Sequence, residues 1–181
     1  MKVFREYSLS FDETPEITKG INMGIFHYGQ FDVSGRPLII GAIRHLDWSK
    51  ISPKEMQKAW FYCVWQALCS SPLAQSQGIV VVIIAKGISP SIFRREFHGF
   101  VANAVQECMP MKVCKLFVLN QPWFFSSVIW PLVSQLFSAK IRERIVMVGK
   151  NYELMREFVS IESIPPGLLG LTLPDEDAPE K

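Results

Sequence analysis

A chain of 181 residues, 49% hydrophobic and 20% charged, is long enough to bury one sizeable core and too apolar for a disordered segment. The formal charge of +2 hides an asymmetry: Asp175, Glu176, Asp177 and Glu180 crowd the C-terminus, so the folded body is more basic than the total, and a polyanionic partner is allowed but not demanded. The opening residues lack the apolar core and cleavage site of a signal peptide, and the longest apolar run, Trp123 to Phe137, is shorter than the roughly 20 residues a membrane span needs and contains Pro131.

In chain order, residues 1–22 are mixed and polar without a sustained period and read as a loosely attached arm. Ile25 to Phe31 and Pro37 to Ile43, separated by Asp32-Val33-Ser34-Gly35, read as a hairpin. Ser52-Pro53-Lys54-Glu55 places a capping hydroxyl, a first-turn proline and a third-position glutamate. Met56, Ala59, Trp60, Cys63, Val64, Ala67 and Leu68 then recur at helical spacing up to Ser70-Ser71-Pro72. Ile79 to Ala85 is a short β-branched run of the kind buried on both faces of a parallel sheet. A helix is expected from Pro90 to Cys108, with Phe93, Phe97, Phe100, Val101, Ala104 and Val105 on one face. A strand follows over Lys115 to Asn120, then the apolar helix, a strand over Ile145 to Val148, and a helix over Asn151 to Val159. This alternation predicts an α/β domain with a mixed, largely parallel sheet, right-handed crossovers and flanking helices, over residues 23–174, followed by an acidic disordered tail, residues 175–181.

Familiar catalytic and cofactor patterns are absent. There is no GxSxG, and His27, His45 and His98 are far apart. Arg44-His45-Leu46-Asp47-Trp48 reads as a strand end entering a loop rather than a His45–Asp47 dyad. Lys86-Gly87-Ile88-Ser89 has too few glycines to cradle a phosphate. Cys63, Cys69, Cys108 and Cys114 lack paired metal spacing and read as reduced thiols of a cytosolic protein. Arg94-Arg95 and the Lys140 to Arg144 group are too short for a nucleic-acid face. No enzymatic activity, cofactor, metal or nucleic acid is expected.

The informative stretch is Met109 to Gly149. Trp123, Phe124, Phe125, Val128, Ile129, Trp130, Leu132, Val133, Leu136 and Phe137 make a segment apolar nearly all round, which must be covered on more than one side. Burying each such side chain is worth about 1.5–3 kcal/mol, so leaving several in water would rival the stability of a domain. An apolar interior or a membrane can cover them. Lys140, Arg142 and Arg144 immediately follow, and each can gain on the order of 1 kcal/mol near anionic headgroups.

These pieces together resemble the CRAL-TRIO (Sec14-like) lipid-binding family, from about Ile25 to Pro174. The stretches that match are Gly35-Arg36-Pro37 with Ile43-Arg44-His45-Leu46-Asp47; Gly78 to Val82 with Lys86-Gly87-Ile88-Ser89; Pro110 with Lys115 to Trp123; Lys140 to Ile145; and Ile164-Pro165-Pro166 with Leu169-Gly170 and Thr172-Leu173-Pro174. The resemblance implies a cavity floored by the sheet and closed by a mobile apolar gate helix, Trp123 to Phe137. Phe124, Phe125, Val128, Ile129, Leu132, Val133, Leu136 and Phe137 are then expected, with Trp123, as gate and cavity residues. It further implies a cytoplasmic, peripherally membrane-associated carrier of a lipid or lipophile. Lys112, Lys140 and Arg144, joined by Arg142, would touch anionic membranes or phosphoinositides. Met111 stands where the yeast Sec14-like branch has a headgroup-holding glutamate and Ile84 where an aspartate is usual in the second strand, so phosphatidylinositol is not implied as the cavity ligand, and Cys114 replaces a basic residue of the membrane edge. The helical module that usually precedes the domain has no counterpart in residues 1–22. The alternative function is a Sec14-like regulatory module that binds a protein partner and no lipid.

Overall fold

Thr14-Pro15-Glu16 opens the first helix of the computed structural model, which describes residues 14–108 and 112–169. The Thr14 hydroxyl accepts the N–H of Ile17 at 3.4 Å, and α1 runs Pro15–Asn22. The second part of the expected loose arm is therefore an ordered helix. Gly20 makes this possible: a Cβ there would lie 2.3 Å from Cβ of Ala59, so only glycine lets α1 rest on the next helix. Residues 1–13 and the acidic tail lie outside the described residues.

The same chemistry recurs at Ser52. Its N–H donates to Glu55 Oε2 at 2.7 Å and its hydroxyl accepts the N–H of Glu55 at 3.3 Å, starting α2, Pro53–Cys69. Those bonds from Ser52, with an ion pair from Lys19 at 2.9 Å, hold the Glu55 carboxyl down at about 2. One face of α2 meets the sheet through Met56, Trp60 and Val64, while α1 covers Tyr62 and Cys63. Burial there pushes the Cys63 thiol up to about 12. Iodoacetamide on the native protein at neutral pH is therefore expected to label exposed Cys69 and spare Cys63 until the chain is unfolded, a difference read by peptide mass spectrometry.

Five strands form the sheet, β1 (Phe26–Phe31), β2 (Pro37–Ala42), β3 (Ile79–Ile84), β4 (Val113–Leu119) and β5 (Ile145–Gly149), in that spatial order. Only β1 and β2 pair antiparallel; the rest run parallel. Their period of two sorts the core. Leu38, Ile40, Val80, Val82, Phe117, Leu119 and Val148 face the C-terminal segment through Met155, Val159, Ile164 and Leu168. The intervening residues face α2 and α4 (Arg95–Asn103), with α3 (Leu73–Ser76) a short turn before β3.

The hairpin turn is pinned rather than free. Buried Asp32 accepts the N–H groups of Ser34 and Arg36 at 2.9 and 2.8 Å and pairs with the Arg36 guanidinium at 2.5 Å. That guanidinium also donates to Cys114 Sγ at 2.9 Å and lies over the Phe158 ring. Gly35-Arg36-Pro37 thus ties β1–β2 to β4 and to the segment behind the sheet.

Three expected helices change form. The one over Pro90 to Cys108 is a 3₁₀ turn (Pro90–Ile92), an extended step at Phe93 and Arg94, then α4 and a π turn (Ala104–Cys108). The Trp48 indole N–H holds the first turn by donating to the Ile92 carbonyl at 2.9 Å. Asn151 to Val159 forms only a 3₁₀ turn (Tyr152–Met155); beyond it the Phe158 carbonyl accepts the N–H of Val33 at 3.0 Å and its ring docks on Phe117. The apolar stretch splits as described next. Helices α5 (Trp130–Ser134), α6 (Ala139–Arg142) and α7 (Pro166–Leu169) complete the fold.

Candidate functional site

Pro131 lacks an N–H and would crowd the carbonyl four residues back, so a regular helix cannot run through it unaltered. The chain answers with a π turn over Phe125–Ile129 that widens the backbone just ahead of α5. The result presents two apolar stripes at i, i+4 spacing. Phe125, Ile129, Val133 and Phe137, with Trp130, turn toward the sheet, and Phe125 and Ile129 are buried. Trp123, Val128 and Leu132 turn outward and are 78%, 51% and 48% exposed, while Phe124 and Leu136 are half-buried at the flanks.

Under the inward stripe lies a cavity of about 150 Å³. Its floor is Ile83, Leu116, Val118 and Ile145 from β3, β4 and β5. Phe97, His98 and Val101 of α4, with Trp60 of α2, wall it on one side. A second void of about 60 Å³ continues beneath the helices and shares Phe26, Trp60, Val101 and Phe137 with the first. Among the lining residues of the larger cavity, His98 alone is titratable, and burial holds its imidazole below the usual histidine value. The floor and wall residues were legible only as members of periodic strands and helices; nothing in their local sequence singles out the ones that border a void.

At the far end of the stretch, Gln106 clamps the chain. Its Nε2 donates to the Leu136 carbonyl at 3.1 Å and its Oε1 accepts the N–H of Ser138 at 2.5 Å. Beside this clamp an open groove is lined by Val105, Gln106, Lys112, Val113, Ser138, Lys140, Ile141 and Arg144, three cations and no acid. Lys112 and Lys140 are exposed, whereas the Arg144 guanidinium donates to the Val113 carbonyl at 2.7 Å and so also braces β4. Arg142 is exposed but stands outside the groove. Met111 lies outside the described residues, and Ile84 is fully buried in the core behind the sheet.

The other singled-out residues stay apart. His45 Nδ1 is 3.1 Å from the Gly24 carbonyl and its Nε2 accepts from Arg44, while Asp47 is occupied by Ser49 and Lys50. No group of three or more potential metal ligands occurs, and no helix is long and apolar enough to cross a membrane, among the described residues.

Comparison with known proteins agrees with this geometry. Clavesin-1 of Rattus norvegicus is 24% identical over 154 residues, covering 81% of this chain and 41% of its own length. Clavesin-2 of Homo sapiens is 22% identical over 151 residues, covering 79% and 44%. The chain thus spans less than half the length of these relatives. The solved structure of Sfh5 shares the fold, with a TM-score of 0.64 over 87% of this chain and 57% of that one at 13% identity. The model of the CRAL/TRIO domain matches residues 21–170, and the chain therefore belongs to the CRAL/TRIO family of Sec14-like domains, a family of lipid binding and transfer.

Proposed function

We propose that this chain binds a small lipophile between its sheet and the Trp123 to Phe137 gate and exchanges it at anionic membranes from the cytoplasm, without catalysing a reaction. The observation that carries the reading is the two-sided gate. Its inner stripe seals an almost wholly apolar cavity, and its outer stripe leaves Trp123, Val128 and Leu132 in water. A membrane would cover that outer face while the gate lifts, with Lys112, Lys140 and Arg144 facing phosphoinositide or other anionic headgroups and Arg142 adding charge beside them. About 150 Å³ is the size that holds a benzene-like molecule and lies below the usual range for ligand pockets, so a whole ligand requires the gate residues and the adjoining void to rearrange.

The test is uptake from vesicles of radiolabelled farnesol and radiolabelled phosphatidylcholine. Val101→Trp, which places an indole in the cavity, is expected to cut farnesol uptake at least about tenfold while the chain stays folded. Equal uptake by both proteins would contradict cavity binding. The small volume also favours a second reading, a protein-binding regulatory module that carries no lipid. A stoichiometric protein partner of a chain that takes up neither label would support it.

A further inference from the structure

Of the side chains that line the cavity, only those of Trp60, Trp130 and His98 carry a nitrogen. An indole N–H can only donate, whereas an imidazole can also accept. Which His98 nitrogen carries the proton follows from its neighbours. Nδ1 lies 2.8 Å from the Arg94 carbonyl oxygen and 3.4 Å from the Arg94 backbone nitrogen. The shorter contact is a full hydrogen bond and the longer one is marginal, so Nδ1–H donates to the carbonyl. That carbonyl also accepts the helical N–H of His98 at 3.0 Å, which uses its second lone pair. The ring is held between Phe93 and Phe97, with centroids at 5.0 and 5.5 Å, so it cannot turn over without displacing them. Nε2 remains as an unprotonated acceptor with no partner among the described residues of the protein, open to solvent. Burial keeps the imidazole neutral at pH 7, which preserves that lone pair.

We infer that His98 is a specificity-determining residue that selects a neutral alcohol as the bound lipophile, its Nε2 accepting the hydrogen bond of the ligand hydroxyl. The inference rests on the lipophile-carrier reading above. An aldehyde, ester or ether has no hydrogen to give Nε2 and can engage only the indole donors. An ionised carboxylate offers no hydrogen either and would bring an unpaired charge into an apolar lining. A hydroxyl alone donates to His98 while still accepting from an indole.

The experiment compares farnesol, farnesal and farnesyl methyl ether by their effect on tryptophan emission, since Trp60 and Trp130 line the cavity. Farnesol is expected to bind about five- to tenfold more tightly than the other two, the range one net hydrogen bond provides. In His98→Phe the three should bind alike, at the level of the ether. His98→Gln, which keeps an acceptor, should retain a preference for the alcohol. Should neither variant fold, the intact protein still decides: with ¹⁵N-labelled histidine, the Nε2 resonance of His98 moves on adding farnesol and not on adding the ether. Equal affinities for all three, with no Nε2 response, overturn the role of His98 and leave the carrier reading standing. Binding of none overturns the carrier reading and this inference with it.

Discussion

Replacing Lys112 and Lys140 together by glutamate is expected to weaken binding to phosphatidylserine- or phosphoinositide-containing vesicles by about a hundredfold to a thousandfold at low salt. Each lysine near an anionic surface contributes on the order of 1 kcal/mol, and each reversal both removes that attraction and adds a repulsion. Two reversals change the balance by roughly 4 kcal/mol before screening, and a Debye length of about 8 Å at physiological salt trims it. These two positions are chosen because both side chains are exposed in the groove, and their loss disturbs no packing. Arg144 is a poorer target, since its bond to the Val113 carbonyl makes it part of the scaffold. Arg142→Glu, outside the groove, serves as the control and should cost less. Vesicle co-sedimentation at two salt concentrations checks all three, and undiminished binding of the double variant would remove the groove from the account.

Ile129→Asp is the second. Ile129 is 3% exposed and packs with Phe125, Ile88, Ile92 and Val118. The change forfeits about 1.5–3 kcal/mol of burial and leaves a carboxylate that must reach water or neutralise at a cost of several more. If the gate moves as a unit, the least costly response is for it to lift. A bias of about 3–5 kcal/mol shifts a closed-to-open equilibrium by a few hundredfold or more. Hydrogen exchange should show protection across residues 125–137 falling by at least about a hundredfold while β3 and β4 keep theirs. Val128→Asp, on the outward stripe, should leave protection unchanged and weaken only membrane binding. Equal loss of protection in gate and sheet would make the stretch ordinary core.

How much of this was legible in the chain depended on whether a local signal existed. Ser52-Pro53 marked α2, whereas α1, read as part of a loose arm, rests on Gly20 nesting against Ala59, a contact distant in sequence. The sheet followed from strand–helix alternation, and the hairpin from Asp32 to Gly35. The failures are tertiary. Residues 151–159 keep only a 3₁₀ turn, and Phe158 is held by Val33 and Phe117, contacts distant in sequence. In the Trp123 to Phe137 stretch, two apolar stripes lie one residue apart, so periodicity alone cannot say which faces the sheet; the π turn ahead of Pro131 sets that. Lys112 and Lys140 are brought together only by the pairing of β4 beside β5, and His98 acquires significance only from the void next to it.

The central claim is that the cavity carries a lipophile, and the most direct measurement is organic-solvent extraction of the protein purified from cells, with mass spectrometry of what is released. A hydrophobic molecule is expected in near-stoichiometric amount, absent from Val101→Trp purified in parallel. An empty wild-type protein that also takes up no labelled lipid from vesicles would contradict it.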